Sequence, residues 1–113
     1  MPLLKVLRNE VETNVKNHAV ISLGNLGNHM SVKTLISTTL FAEHPSLRLN
    51  SAVALGKIKD RRSVIPLVRL LDDPERSVRL AAEESLAEIT GEEFASNRKA
   101  WEAWIERNRD SLE

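Results

Sequence analysis

The sequence predicts an all-α solenoid of about three and a half stacked helical hairpins. Two observations carry this: an internal repeat at offsets of 32 and 31 residues, and apolar spacing of helical period within each repeat. A third supports it, because no stretch alternates polar and apolar residues long enough to be a strand. The repeat aligns Val15-Lys16 with Leu47-Arg48 and Val78-Arg79. In the same register Leu23-Gly24 falls on Leu55-Gly56 and Leu86-Ala87, and Leu26 falls on Ile58 and Ile89. A second block follows, in which Val32, Leu35, Ile36 and Thr39 fall on Val64, Leu67, Val68 and Leu71. Apolar residues at i, i+3, i+4 and i+7 line one face of a helix. One such hairpin cannot bury its apolar face alone, whereas stacked neighbours can.

The elements follow in order. Residues 1–12 align, at offset 64, with the second helix of a repeat: Pro2, Leu3, Leu4, Lys5, Val6 and Leu7 fall on Pro66 to Leu71. They are expected to form the second helix of an incomplete repeat in a piece of a longer solenoid, with Leu3, Leu4 and Leu7 as an unpaired stripe prone to self-association. The alternative is that these leucines cap the stack. Residues 13–45 form a repeat, with Gly27-Asn28 ending its first helix and Ser31 at an N-cap position. Residues 46–76 form the next, with Ser63 at the matching N-cap position. His44-Pro45-Ser46 and Asp73-Pro74-Glu75 break the chain between repeats, since proline removes a backbone donor and restricts the residue before it. Residues 77–113 form a C-terminal capping repeat. Its first helix runs from about Ser77 to Thr90; after about six inserted residues, Trp101, Trp104, Ile105 and Asn108 restore the second-helix spacing at offset 37. Its polar tail suits the outer face that a terminal repeat needs for solubility.

Composition bounds the function. The 113 residues carry 16 basic and 16 acidic side chains and no cysteine. That removes a disulfide scaffold, a thiolate nucleophile and any cysteine-ligated metal site. No apolar run is long enough to span a membrane, and the charged first ten residues do not form a signal peptide, so a soluble cytoplasmic domain is expected. Zero net charge disfavours a nucleic-acid protein as a whole, yet it is a cancellation: the net charges are +1 for residues 1–45, +3 for 46–76 and −4 for 77–113.

The residues Leu47-Arg48, Ser51-Ala52, Ala54-Leu55-Gly56, Ile58, Asp60, Ser63-Val64, Pro66-Leu67 and Leu70-Leu71-Asp72 resemble the HEAT repeat, in the short form known as the PBS-lyase HEAT-like repeat. The resemblance covers nearly the whole chain. It implies a right-handed α-α superhelix, first helices outside and second helices on the concave side. It also implies a binding role more often than catalysis, and that the arginine of each Val-Arg pairs with an acid in the adjacent inter-repeat loop, where Asp73 and Glu43 stand. The di-iron hydroxylases of this superfamily use His-Glu pairs just after the Val-Arg; this chain has Asn17-His18, Leu49-Asn50 and Leu80-Ala81 there, and no His-Glu pair anywhere.

No catalytic, metal or cofactor site is expected. His18, His29 and His44 fall mid-helix, in a hairpin turn and at the opposite end of a hairpin, so they do not converge as ligands must. Trp101 and Trp104 read as core sealing the last repeat, because their spacing matches core positions. The candidate binding surface consists of the outward residues of the second helices: Lys5, Lys33, Thr34, Ser37, Arg69, Glu102 and Glu106, with Ile65, Pro66 and Ala103 beside them. The column Lys5, Ser37, Arg69, Glu106 would order charge along a bound protein segment. The chain is therefore read as a non-enzymatic protein–protein interaction scaffold whose partner is another protein. Two alternatives stand beside this reading. One is a nucleic-acid-associated module using the basic turn Lys57, Lys59, Arg61 and Arg62, although no aromatics interleave with it. The other is a regulatory subunit of a bilin-lyase-like modifying enzyme.

Overall fold

The computed structural model describes residues 2–112, with side chains described from Arg8 onward. Six α-helices and no strand lie among them. They are α1 (Pro2–Leu26), α2 (Val32–Thr38), α3 (Pro45–Ile58), α4 (Val64–Arg69), α5 (Arg76–Thr90) and α6 (Arg98–Arg107). Short 3-10 turns precede α2 and α4, at His29–Ser31 and Arg61–Ser63, and others follow α4 and α6, at Leu70–Asp72 and Arg109–Leu112. The first helices α1, α3 and α5 stack side by side, and α2 and α4 lie against α3 and α5.

The first helices approach closely because small residues meet at their crossings. A Cβ on Gly24 would stand 2.8 Å from Cα and Cβ of Ala54, and one on Gly56 would stand 2.4 Å from the Ser85 hydroxyl. The Ser85 hydroxyl in turn donates to the Ala52 carbonyl at 2.6 Å. The second layer closes the core from the other side. Val32 and Leu35 of α2 and Val64, Leu67 and Val68 of α4 are buried with Leu55, Val78 and Leu86 of the first helices. A buried hydroxyl pair, Ser51 donating to Thr39 at 2.6 Å, ties α3 to the end of α2.

Helix ends show where the sequence reading and the structure part. α1 and α5 stop at Gly27 and Gly91, both at positive φ, and Lys59 takes the same left-handed conformation after α3. Ser31 and Ser63, read as N-caps, make no capping hydrogen bond. The chain turns earlier, so the caps are Asn28 and Asp60, whose side chains accept from the N–H of Met30 and Arg62. Ser31 is buried and donates to the Asn28 carbonyl; the Ser63 hydroxyl is buried without a partner.

Two larger differences concern the ends of the stack. α1 is continuous across the boundary expected between residues 12 and 13. Arg8 to Asn14 contain neither glycine nor proline, whereas the later joints carry Pro45 and Pro74, so nothing interrupts the helical backbone there. Lys5, Leu3, Leu4 and Leu7 lie outside the described side chains.

At the other end, α6 does not repeat the direction of α2 and α4. Arg98, at its start, pairs with Asp72 beyond the end of α4. Ser111, past its end, accepts from Arg61 ahead of α4 at 2.9 Å. α6 therefore runs against α4, and the inserted residues 91–97 are the return path that makes this possible. Phe94 within that path packs edge-on to Trp101 (centroids 4.8 Å apart), and the Trp101 indole N–H donates to the Ala95 carbonyl at 3.0 Å. Trp101 and Trp104 are both buried, and Leu112 of the otherwise polar tail is buried as well.

Candidate binding surface on the second helices

α2 buries Val32 and Leu35 and half-buries Ile36, so a helical period leaves Lys33, Thr34 and Ser37 facing outward, and all three are exposed. α4 buries Val64, Leu67 and Val68, which leaves Ile65 and Arg69 exposed and Pro66 partly so. In the repeat register Lys33 corresponds to Ile65, and Ser37 to Arg69. Among the described residues neither Lys33 nor Arg69 has an ion-pair or hydrogen-bonding side-chain partner. Ser37 and Thr38 hydroxyls both return to the Thr34 carbonyl, at 3.2 and 2.6 Å. The outward faces of α2 and α4 thus present two cations without a side-chain partner, Lys33 and Arg69, and the exposed Ile65.

The acidic end of the expected column is arranged differently. Glu102, Ala103 and Glu106 are exposed, but the reversal of α6 places Glu106 toward the Arg61–Ser63 turn instead of level with Arg69. Both carboxylates also have cations on their own segment. Arg98 reaches Glu102 at 3.6 Å while pairing with Asp72, and Arg109 reaches Glu106 at 3.0 Å. The spacing at offset 37 is a true core period that carries no information about helix direction, which is why the column does not extend onto α6.

The basic turn is occupied by structural contacts. Lys57 donates to Asn25 of the preceding unit at 2.8 Å, and Lys59 reaches Glu88 of the following one at 3.6 Å. The Arg61 guanidinium lies over the Trp104 ring at 5.5 Å besides donating to Ser111. Arg62 grips both Asp60 oxygens, at 3.0 and 2.7 Å, and the His29 carbonyl at 3.0 Å. All four cations therefore staple neighbouring units together.

Asp60 is the centre of that turn. The Arg62 guanidinium holds its carboxyl well below the usual carboxylate range; the Arg62 N–H and His29 add to this, while partial burial opposes it. A carboxyl lowered in the folded state adds stability above its unfolded pKa of about 4, and that contribution is lost as pH falls further. Urea midpoints should therefore drop as pH falls below about 4, and Asp60→Asn should make that drop shallower. Equal pH dependence in the two proteins would remove Asp60 from the account.

A second polar joint lies at the opposite end of the hairpins. Arg48 forks onto Asp73, with Nε at 2.7 Å and Nη2 at 3.2 Å, and its Nη1 donates to the carbonyls of Ala42 and Glu43. Asp73 also accepts from the Glu75 N–H at 3.0 Å. Arg79 repeats the clamp on the carbonyls of Asp73 and Pro74. Asp73 thus plays the role that the resemblance implies, whereas Glu43 contributes its carbonyl. One repeat earlier Ala42 stands where Asp73 does, so Lys16 has no such acid. The histidines stay apart: His29 lies against Asp60 at 3.1 Å, and His44 against the Ser46 hydroxyl at 3.0 Å. No group of three metal-ligating side chains forms among the described residues.

Two clefts on the first-helix side escaped the sequence reading, since they depend on how far apart whole helices sit. One, of about 560 Å³, lies between α3 and α5 over Val53, Gly56 and Ala81, with Lys57 on one rim and Glu84 on the other. The other, of about 510 Å³, lies between α1 and the loop before α3, over Thr13, Lys16 and His44.

Stacked first helices, a second layer packed into their grooves and an arginine clamp at the inter-repeat loop define an α-helical repeat scaffold. The family model for HEAT repeats matches residues 1–87, and the chain belongs to the HEAT repeat family. The match ends within α5, ahead of the reversed helix α6. Repeats of this family commonly mediate protein–protein interaction. A comparison with curated proteins found no match. No helix among the described residues is long and apolar enough to cross a membrane.

Proposed function

We propose that the chain is a non-enzymatic scaffold of the short PBS-lyase HEAT-like type that binds another protein across α2 and α4. The observation that supports this is the pair of exposed, unpartnered cations Lys33 and Arg69 with the exposed Ile65. A cation already held by a neighbour must lose that contact to serve a ligand, and these two have none to lose. An acidic segment with one apolar anchor fits the patch: the anchor sits at Ile65, and the charges set register and speed association more than they add affinity. The basic turn offers no comparable set, because Lys57, Lys59, Arg61 and Arg62 are engaged between units.

The test is charge reversal. Lys33→Glu together with Arg69→Glu should weaken a protein partner recovered with the wild-type chain by about tenfold or more, equivalent to about 1.4 kcal/mol. Helix content and melting should be unchanged, since both side chains are exposed. A partner that binds the double variant as tightly as the wild type would place the binding surface elsewhere.

A further inference from the structure

The turn that leads into α2 carries the most exposed large apolar side chain among the described residues: Met30 is 90% exposed. The 3-10 turn His29–Ser31 runs straight into α2 at Val32. Side chains three apart eclipse in such a turn, so Met30 stands over Lys33. Burial agrees, because Ser31, Val32 and Leu35 are buried whereas Met30, Lys33, Thr34 and Ser37 are exposed. Met30 therefore extends the outward face of α2 by one turn. Contacts fix what lies next to it. Arg62 donates to the His29 carbonyl at 3.0 Å, and the His29 ring lies 3.1 Å from Asp60, so the turn before α4 abuts the turn before α2. In the repeat register Arg62 corresponds to Met30, and it is held by Asp60. The outward face thus has one row of Met30, Lys33 and Ser37, and a second of Arg62, Ile65 and Arg69.

Two apolar side chains stand diagonally across these rows. Packed helices lie about 8–10 Å apart. Ile65 corresponds to Lys33, so it lies one turn, about 5 Å, further along than Met30. Together these offsets separate Met30 from Ile65 by about 11 Å. Two turns of an α-helix span about the same length and return side chains seven apart to one face. The free charge on the surface is of one sign, since Lys33 and Arg69 have no side-chain partner and neither row contains an acid. We infer that the occupant of α2 and α4 is an acidic amphipathic helix of another protein, with two apolar residues seven apart resting on Met30 and Ile65. An acid one turn beyond the first anchor lies toward Lys33, and one a turn beyond the second lies toward Arg69. The flexible thioether of Met30 adapts to the shape of its anchor. This holds only if α2 and α4 form the binding surface, and it adds the shape of the occupant and Met30 as a second anchoring point.

Two synthetic acidic helical peptides of one composition serve as probes, with leucines seven positions apart in the first and five apart in the second. The first keeps both leucines on one face and the second splits them. Titration of the full chain, followed by NMR, should show the first peptide binding at least tenfold more tightly. Met30→Ser should abolish that preference and leave circular dichroism unchanged, because the side chain is exposed. Lys33→Glu with Arg69→Glu should weaken both peptides by a similar factor. Equal binding of the two peptides by the wild type, or a preference that survives Met30→Ser, would overturn the helical two-anchor occupant; the surface itself stands if charge reversal still weakens binding. Binding that ignores the charge reversal, or no binding of either peptide at millimolar concentration, would overturn both the surface and its occupant.

Discussion

Trp101→Ala is expected to destabilise the protein by about 3–5 kcal/mol, close to the whole stability of a weak domain. The ring is fully buried, stands edge-on to both Phe94 and Trp104, and donates its only polar hydrogen to the Ala95 carbonyl. Removing it leaves a cavity under α6 and an acceptor without its donor. The loss should spread beyond α6, because Trp104 carries the Arg61 guanidinium and so holds the cap to the central turn. Urea unfolding followed by circular dichroism measures the effect. Trp101→Phe should cost less, since most of the apolar volume is kept and only the indole hydrogen bond is lost. A Trp101→Ala protein that keeps its unfolding midpoint but loses a binding partner would make the residue part of an interface instead.

Asp73→Ala should cost a similar amount, about 3–5 kcal/mol, because one member of a buried ion pair is deleted and the other stays behind. The side chains of Arg48 and Asp73 are only 12% and 5% exposed. The stranded guanidinium would keep its bonds to the Ala42 and Glu43 carbonyls but lose both carboxylate contacts, and the Glu75 N–H would lose its acceptor. Asp73→Asn should be milder, since an amide oxygen can still accept from Glu75. Replacing the pair together, Arg48→Met with Asp73→Leu, should cost less than Asp73→Ala alone, because no unpaired charge remains. A thermodynamic cycle across these variants measures the coupling directly. Additive effects would show that the fork contributes no more than an exposed pair.

Most of the helical architecture was legible as periodicity. Val64, Leu67, Val68 and Leu71 share one helical face whatever surrounds them, and they are buried. Trp101 and Trp104 were readable as core for the same reason. The caps were misread: Ser31 and Ser63 were assigned that role, whereas Asn28 and Asp60, three residues earlier, hold it because a 3-10 turn precedes each second helix. The outward patch of Lys33, Ile65 and Arg69 came from subtracting the core positions, and the exposures agree.

Other features left no local trace. Proline-free sequence permits a continuous α1, yet it does not say whether a boundary is present. Leu112 sits in a polar tail and is buried only because the Arg109–Leu112 turn folds back onto the Arg61–Ser63 turn. The four basic residues looked like one cluster because they are close in sequence; in space each one reaches a different neighbour.

The sequence by itself determined the repeat, the buried face of each helix and the membership of a family, because those follow from spacing along one chain. Only the tertiary structure decided the direction of α6, the partners of the cations and which apolar face stays bare. A helical stripe reads the same in either direction, and a long charged side chain can satisfy several neighbours. Both are settled only when distant segments are brought within a few ångströms of each other.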